Sequence, residues 1–355
     1  MTVKERSAKA AILYFVIHML NEVVCFFMLY RIVQDPVFIA MVALIYNALA
    51  FVSQFFWGSL KDLLEKFRPG IISIPLLLSG FLIFFIADAK GVLFWISLTL
   101  LSIGNALIHI SGAELTIRTS GGKLTPVAVF VSGGSFGVIL GQVLASTEIS
   151  FWWIALCCAL MFPLVLIGEK LYKGNPKECN DCTGYNYVIP GRKALIVIFA
   201  VFFIVTIRSY LGYSIPMAWK TTLWQSVLLF VFMGIGKALG GVLSDKIGIR
   251  KTAIISIIGA LPFLLLGNKI IVVSLIGIMF FSMTMAVTIG MVISVMKIAP
   301  GAGFGVTTVA LFAGTTIASF VRSGSLVVNI SIIVITSAIC FLMAMYVLKP
   351  DKEEK

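Results

Sequence analysis

Twelve stretches of roughly twenty apolar residues follow one another along the chain, at approximately 9–32, 37–59, 69–88, 91–117, 126–147, 149–172, 194–215, 223–243, 251–268, 269–297, 301–322 and 326–348. A bilayer core about 30 Å thick takes about 20 residues of helix to cross. Membrane strands would instead alternate polar and apolar positions over about ten residues; these runs do not alternate, so they predict helices. Charged residues make up only 12% of the chain, about half the share of a soluble domain. The expectation is an all-α integral membrane protein. The opening "MTVKERSAKA" lacks a short apolar core followed by a small-residue cleavage site, so no cleaved signal peptide is expected.

A formal net charge of +12 could suggest nucleic acid, but its placement excludes that reading. With the N-terminus inside, 20 of the 27 Lys and Arg fall on the cytoplasmic side, five outside and two, Arg208 and Lys237, within spans. That asymmetry predicts both termini in the cytoplasm. Four cysteines sit in spans and read as packing residues. Cys179 and Cys182 form a single C-x-x-C in a loop, which lacks the two further ligands a zinc site needs.

The one long polar connection, 173–193, divides the chain into a six-helix half at 1–172 and another at 194–355. "WGSLKD" (57–62) after the second span matches "GGVLSD" (240–245) after the eighth, an offset of 183 residues that suggests duplication. The second copy continues as "GGVLSDKIGIRK". Here the sequence resembles the major facilitator superfamily, whose signature G-x-L-x-D-R-x-G-R-R/K is met by Gly241, Leu243, Asp245, Gly248, Arg250 and Lys251, with Lys246 at the usual arginine. The first copy keeps Gly58, Leu60 and Asp62 and departs after them. The resemblance implies twelve transmembrane helices in two six-helix halves, a secondary transporter and not an enzyme. In such a gate, Asp245 would accept hydrogen bonds from the N-terminus of another helix.

Ionisable groups at bilayer depth cost at least ~2.5–3.5 kcal/mol each, so they normally face a cavity or a partner. Span one carries His18, Asn21 and Glu22; span four carries Asn105, His109, Ser111 and Glu114; span seven carries Arg208, Ser209 and Tyr210. His18 and Glu22, four apart, share one helix face. At 1.5 Å per residue, His18 and Arg208 lie roughly 14 and 21 Å from their cytoplasmic span ends. "HMLNE", "GNALIHISG" (104–112) and "RSYLGYSIP" (208–216) are similar to the fosmidomycin-resistance branch of the superfamily, with Glu22 where that branch has Asp.

From these residues a scheme follows. Arg208, with Asn21, Asn105, Ser209 and Tyr210, would bind a small organic anion, since a guanidinium suits carboxylate, phosphate or phosphonate. Glu22, His18, His109 and Glu114 would carry protons, with substrate drawing Arg208 away from Glu22 so that Glu22 can protonate. Gly241, Asp245, Arg250, Lys251 and Asp62 would form the gate. The expected activity is proton-coupled efflux by alternating access, from a monomer in a prokaryotic inner membrane without cofactor or nucleic-acid partner. Uptake of the same anion is one alternative. Another, from a different class, is an intramembrane metal-binding protein or metal transporter that uses His18, Glu22 and His109.

Overall fold

The computed structural model describes residues 2–32, 36–87, 91–173, 182–321 and 323–351. Its helices are α1 (Val3–Ile32), α2 (36–63), α3 (Pro69–Phe84), α4 (Val92–Arg118), α5 (Thr125–Ala145), α6 (Phe151–Lys173), α7 (Ala194–Ser214), α8 (Leu223–Ile247), α9 (Ile249–Leu266), α10 (Ile271–Val295), α11 (Pro300–Phe320) and α12 (Leu326–Val347). These coincide with the twelve expected spans, and they show the expected all-α membrane fold. α3 stops four residues short, at Phe84, and the largest extensions run into polar sequence. α1 starts six residues early, and α2 and α8 each extend four residues further, to Leu63 and Ile247. Asp62 and Asp245 therefore stand on helices and not in loops.

Three helices are irregular. α2 is π-helical at Ala48–Val52, α9 is π-helical at Ile255–Gly259, and α10 breaks at Met283 between Ser282 and Thr284. Wider turns of this kind free backbone carbonyls for partners outside the helix.

The most buried spans are α1, α4, α5 and α10, and α12 is the least. The contact between α1 and α5 rests on the glycines of "GGSFGVILG". An added Cβ at Gly133 would lie 2.4 Å from the Phe15 carbonyl, and one at Gly137 would lie 2.3 Å from that of Met19. Small residues at four-residue spacing thus let the two backbones touch.

Val3, Leu348 and the described part of the linker, 182–193, gather at one end of the bundle. Val188 bridges antiparallel to Leu348, Gly184 packs on Gly122, and Val3 lies beside Gly121. We call this the linker end. Of the C-x-x-C pair, Cys182 is buried and Cys179 lies outside the described residues.

Candidate functional site

The chain contains two histidines, and both meet on one carboxylate. His18 on α1 brings Nε2 to 3.7 Å from Glu22 Oε1, and His109 on α4 brings its Nε2 to 3.6 Å from the same oxygen. The imidazole rings cross edge to face at 4.3 Å. All three side chains are buried. Gly134 on α5 makes the room, since a Cβ there would fall 2.5 Å from His18 Nε2.

The remaining ring nitrogens fix the tautomers. His18 Nδ1 lies 2.9 Å from the Phe130 carbonyl, and His109 Nδ1 lies 2.9 Å from the Asn105 carbonyl one turn earlier. A carbonyl only accepts, so each Nδ1 carries a proton. Neutral imidazoles would then point lone pairs at a carboxylate. A further proton, on Glu22 or on an Nε2, would relieve that opposition. Three ionisable groups thus converge on one buried spot.

Asn105 completes the shell. Its Nδ2 donates to Glu22 Oε1 at 2.9 Å and to the Tyr46 hydroxyl at 2.7 Å, while its Oδ1 is buried without a partner. Lys237 on α8 lies within electrostatic reach of both Glu22 and His109 from the other half of the molecule. Asn21 is fully buried with neither side-chain atom hydrogen-bonded.

Arg208 is elsewhere. Its Nη2 donates to the carbonyls of Ser256, at 3.0 Å, and Phe281, at 2.6 Å, and the guanidinium lies 3.4 Å over the Phe281 ring. Those carbonyls belong to the π-helical turn of α9 and to the last turn before the break in α10. The expected pairing of Arg208 with Glu22 is replaced by this arrangement: the carboxylate has imidazole partners, and the arginine pins two irregular helices. Nε and Nη1 remain buried and unpartnered. Because Nη2 belongs to the fork that would grip an anion with two parallel bonds, no complete pair of terminal donors is free in this state. Ser209 donates to the Leu311 carbonyl at 2.8 Å, and Tyr210 packs against the apolar cluster around Leu211 and Ile215.

Glu114 belongs to a second cluster toward the linker end. It accepts from Arg118 Nε at 2.9 Å and lies 3.8 Å from Lys61 Nζ, and Arg118 also reaches Asp62 at 3.5 Å. Asp62 accepts the backbone N–H groups of Gly301 and Ala302 at the start of α11, at 3.1 and 2.7 Å. Asp245 does the same to Leu124 and Thr125 at the start of α5, at 2.8 and 2.9 Å, with the Thr125 hydroxyl at 2.6 Å. Each latch joins one half to the other through a helix N-terminus, where a carboxylate meets unpaired N–H groups.

The glycine one turn before each aspartate lets the helices close. A Cβ at Gly58 would lie 2.3 Å from the Gly301 carbonyl, and one at Gly241 would lie 2.5 Å from Ala128 Cβ. Arg250 and Lys251 serve a different contact. Their backbone N–H groups bind the Asp351 carboxylate, beyond a turn at Gly248 whose φ of 99° requires glycine.

The linker lies across both halves at this end. Tyr185 shares a hydrogen bond with Ser120 at 2.9 Å and donates to the Lys123 carbonyl, and Tyr187 donates to the Gly122 carbonyl at 2.6 Å. On the other side, the Tyr187 N–H reaches Ser294 and Lys297 reaches the Thr183 carbonyl. Burial raises the pKa of both tyrosines above the usual phenol range, so they stay protonated donors.

Three contributors escape sequence reasoning: Tyr46, the Phe130 carbonyl and Gly134. Lys237 is marked in the sequence as a charge inside a span. His18, Glu22 and His109 also place one ligand atom each within 4.8 Å of one another, close enough to converge on a metal ion.

No family profile matches the chain. It is 26% identical over 212 residues to the fosmidomycin resistance protein of Escherichia coli K12, a match covering 53% of this chain and 52% of that protein. The match thus spans about half the length of that curated relative. Among solved structures, the fucose:proton symporter of E. coli superposes with a TM-score of 0.68 at 13% identity, over 98% of this chain and 99% of that one. A second structure of that symporter, in the outward conformation, gives 0.67 at 14% identity, over 96% and 98%. A human organic anion transporter gives 0.60 at 14% identity, over 96% and 97%.

Proposed function

We propose that this chain, which has the major facilitator fold and is related in sequence to the fosmidomycin-resistance branch of that superfamily, is a secondary transporter. It exchanges a small organic anion for protons by alternating access, in the direction of efflux. The observation that carries the reading is the meeting of both histidines on Glu22, at mid-depth and in the face that Lys237 approaches from the other half. A group that an extra proton would stabilise, next to the seam between two movable halves, is what proton coupling requires.

The anion preference is supported by two cations that form no carboxylate ion pair within 4 Å among the described residues: Lys237 at the seam, in electrostatic reach of Glu22, and Arg208 behind it with two spare donors. The latches and the linker close one end of the seam, which fits a carrier loading from the opposite side. The positive-inside asymmetry supports a cytoplasmic location for the closed end.

A thermal-shift screen of purified protein against phosphonates, sugar phosphates and carboxylates tests substrate class. A true ligand at a hundred times its dissociation constant adds about 2.7 kcal/mol of stability. Shifts in wild type that vanish in Lys237→Ala support the anion reading. Equal shifts in both, or shifts with neutral amphiphiles alone, reject it.

A second reading has one observation in its favour, the convergence of His18, Glu22 and His109. Two imidazoles with Nδ1 held by carbonyls and Nε2 free are oriented as metal ligands usually are. Metal analysis of untagged protein decides: a stoichiometric metal lost in His109→Ala would replace the proton scheme.

A further inference from the structure

α1 and α6 run antiparallel, with Tyr14 against Gly168 at one level and Phe27 against Phe151 at another. The first contact is tight. A Cβ at Gly168 would lie 2.8 Å from the Tyr14 ring, and Tyr14 is buried. Beside this contact the same two helices leave a slot of about 350 Å³. Ile12, Leu13 and Val16 form one wall, and Leu164, Ile167 and Leu171 form the other. Leu13 and Ile167 are next in sequence to Tyr14 and Gly168, so the slot flanks the tight contact on its outer side.

That outer side faces the bilayer. Both helices are long and apolar enough to cross it, and Ile12 and Ile167 are 64% and 48% exposed. Each wall runs over seven residues of helix, about 10 Å, or about two-thirds of the hydrocarbon depth of one leaflet. Water needs two or more polar partners, and aliphatic walls supply none. The shape and lining suit a hydrocarbon tail lying along the helices.

Charge selects which lipid brings that tail. Lys9 is the single charged residue of the lining, at the linker end of the slot, and it opens the apolar stretch expected at 9–32. Lys9 therefore stands where lipid head groups lie. The antiparallel pairing sets it level with Leu171, whose neighbour Lys170 is an exposed second cation. The nearby acids are engaged elsewhere. Glu169 pairs with Arg68, and Glu5, one turn before Lys9, accepts the Thr2 N–H at 3.0 Å. Glu5 is also in electrostatic reach of Lys9, but an exposed pair of this spacing on a helix is weak. Basic residues at the mouth of a gap between spans suit an anionic head group. We propose that the slot between α1 and α6 binds one anionic phospholipid, its tail between the aliphatic walls and its phosphate on Lys9. Val16 ends the slot two residues before His18, so the bound tail braces the stretch of α1 that leads into the histidine cluster. The inference stands apart from what the protein transports.

The test uses the full-length protein in phosphatidylcholine vesicles that carry a trace of phosphatidylglycerol with a photoreactive diazirine in its tail, or phosphatidylcholine with the same tail. Labelling of segments 12–16 and 164–171 is read against the exposed, apolar stretch 327–342 of α12, which cancels differences in reconstitution. In wild type, the phosphatidylglycerol probe should label the slot at least about fivefold more than the phosphatidylcholine probe. Lys9→Gln should lower that preference about fivefold, which corresponds to about 1 kcal/mol for one basic residue near an anionic lipid surface. Lys9→Arg should keep it. Lys9 is exposed, so both variants should fold. Equal labelling by the two probes in wild type makes the slot ordinary lipid-facing surface and overturns the proposal. A preference unchanged in Lys9→Gln overturns it too. Labelling that falls as protein density rises, with crosslinks between copies in its place, assigns the slot to a second copy of the chain and likewise overturns it.

Discussion

At the scale of single residues, the site is a problem of hydrogen-bond polarity. Glu22→Gln replaces a shared proton acceptor by a neutral amide that cannot titrate. Purified, lightly buffered protein should then release fewer protons than wild type on an alkaline pH jump, as read by an indicator dye. Gly134→Ala is predicted to disturb the same cluster without altering a polar group, because the new methyl would occupy the place of His18 Nε2. Overpacking of this kind costs about 1–3 kcal/mol, and the two imidazole resonances should shift together. Arg208→Met should lower thermal stability by about 2–5 kcal/mol, since it strands the Ser256 and Phe281 carbonyls in addition to removing a charge. Arg208→Lys should recover part of that loss by reaching one carbonyl. Equal stability of wild type and Arg208→Met would show that those carbonyls have other partners.

At the scale of elements, the repeated G-x-x-x-D of α2 and α8 has a geometric explanation. Glycine and aspartate, one turn apart, share a face; the first admits the partner helix and the second caps its N-terminus. Gly58→Ala should therefore penalise only the closed end. Hydrogen exchange at 300–304 is predicted to rise in that variant while stretches within α4 stay protected. Asp62→Asn keeps a capping oxygen but loses the charge, and should loosen the same segment by about 0.5–2 kcal/mol. The linker should behave differently. A tyrosine with a raised pKa contributes stability that is fully present below the unfolded value near 10 and is lost as pH rises beyond it. Exchange in 183–190 should accordingly be flat from pH 5 to 9, an internal control for the latch.

At the scale of the whole molecule, the twelve spans are legible in the sequence because hydrocarbon thickness sets helix length, and His18, Glu22, Asn105 and His109 stand out because polar groups are costly at that depth. Tyr46 is not legible, since a tyrosine in an apolar span is ordinary until its hydroxyl is seen to meet Asn105. Nor are the partners of Arg208. They are carbonyls freed by irregular turns in α9 and α10, and no residue type in "ISIIG" or "FFSMT" announces such turns. The expected pairing of Arg208 with Glu22 fails for a related reason: periodicity within one helix does not say which other helix lies opposite. His18 is the sixteenth of the 30 residues of α1, about 22 Å from either end. The first turns of α1 are polar, so within the apolar span His18 stands somewhat nearer the linker end, and that interior depth has an electrical consequence. A proton entering the cluster from either side crosses about half of the membrane field, or about 1.2 kcal/mol per 100 mV. The Asp62, Arg118, Glu114 and Lys61 cluster is neutral as a set when all four are charged, so its rearrangement moves little net charge. On the proposed transporter reading, voltage dependence would then be a count of the charge that the two histidines, Glu22 and the solute carry between the two sides.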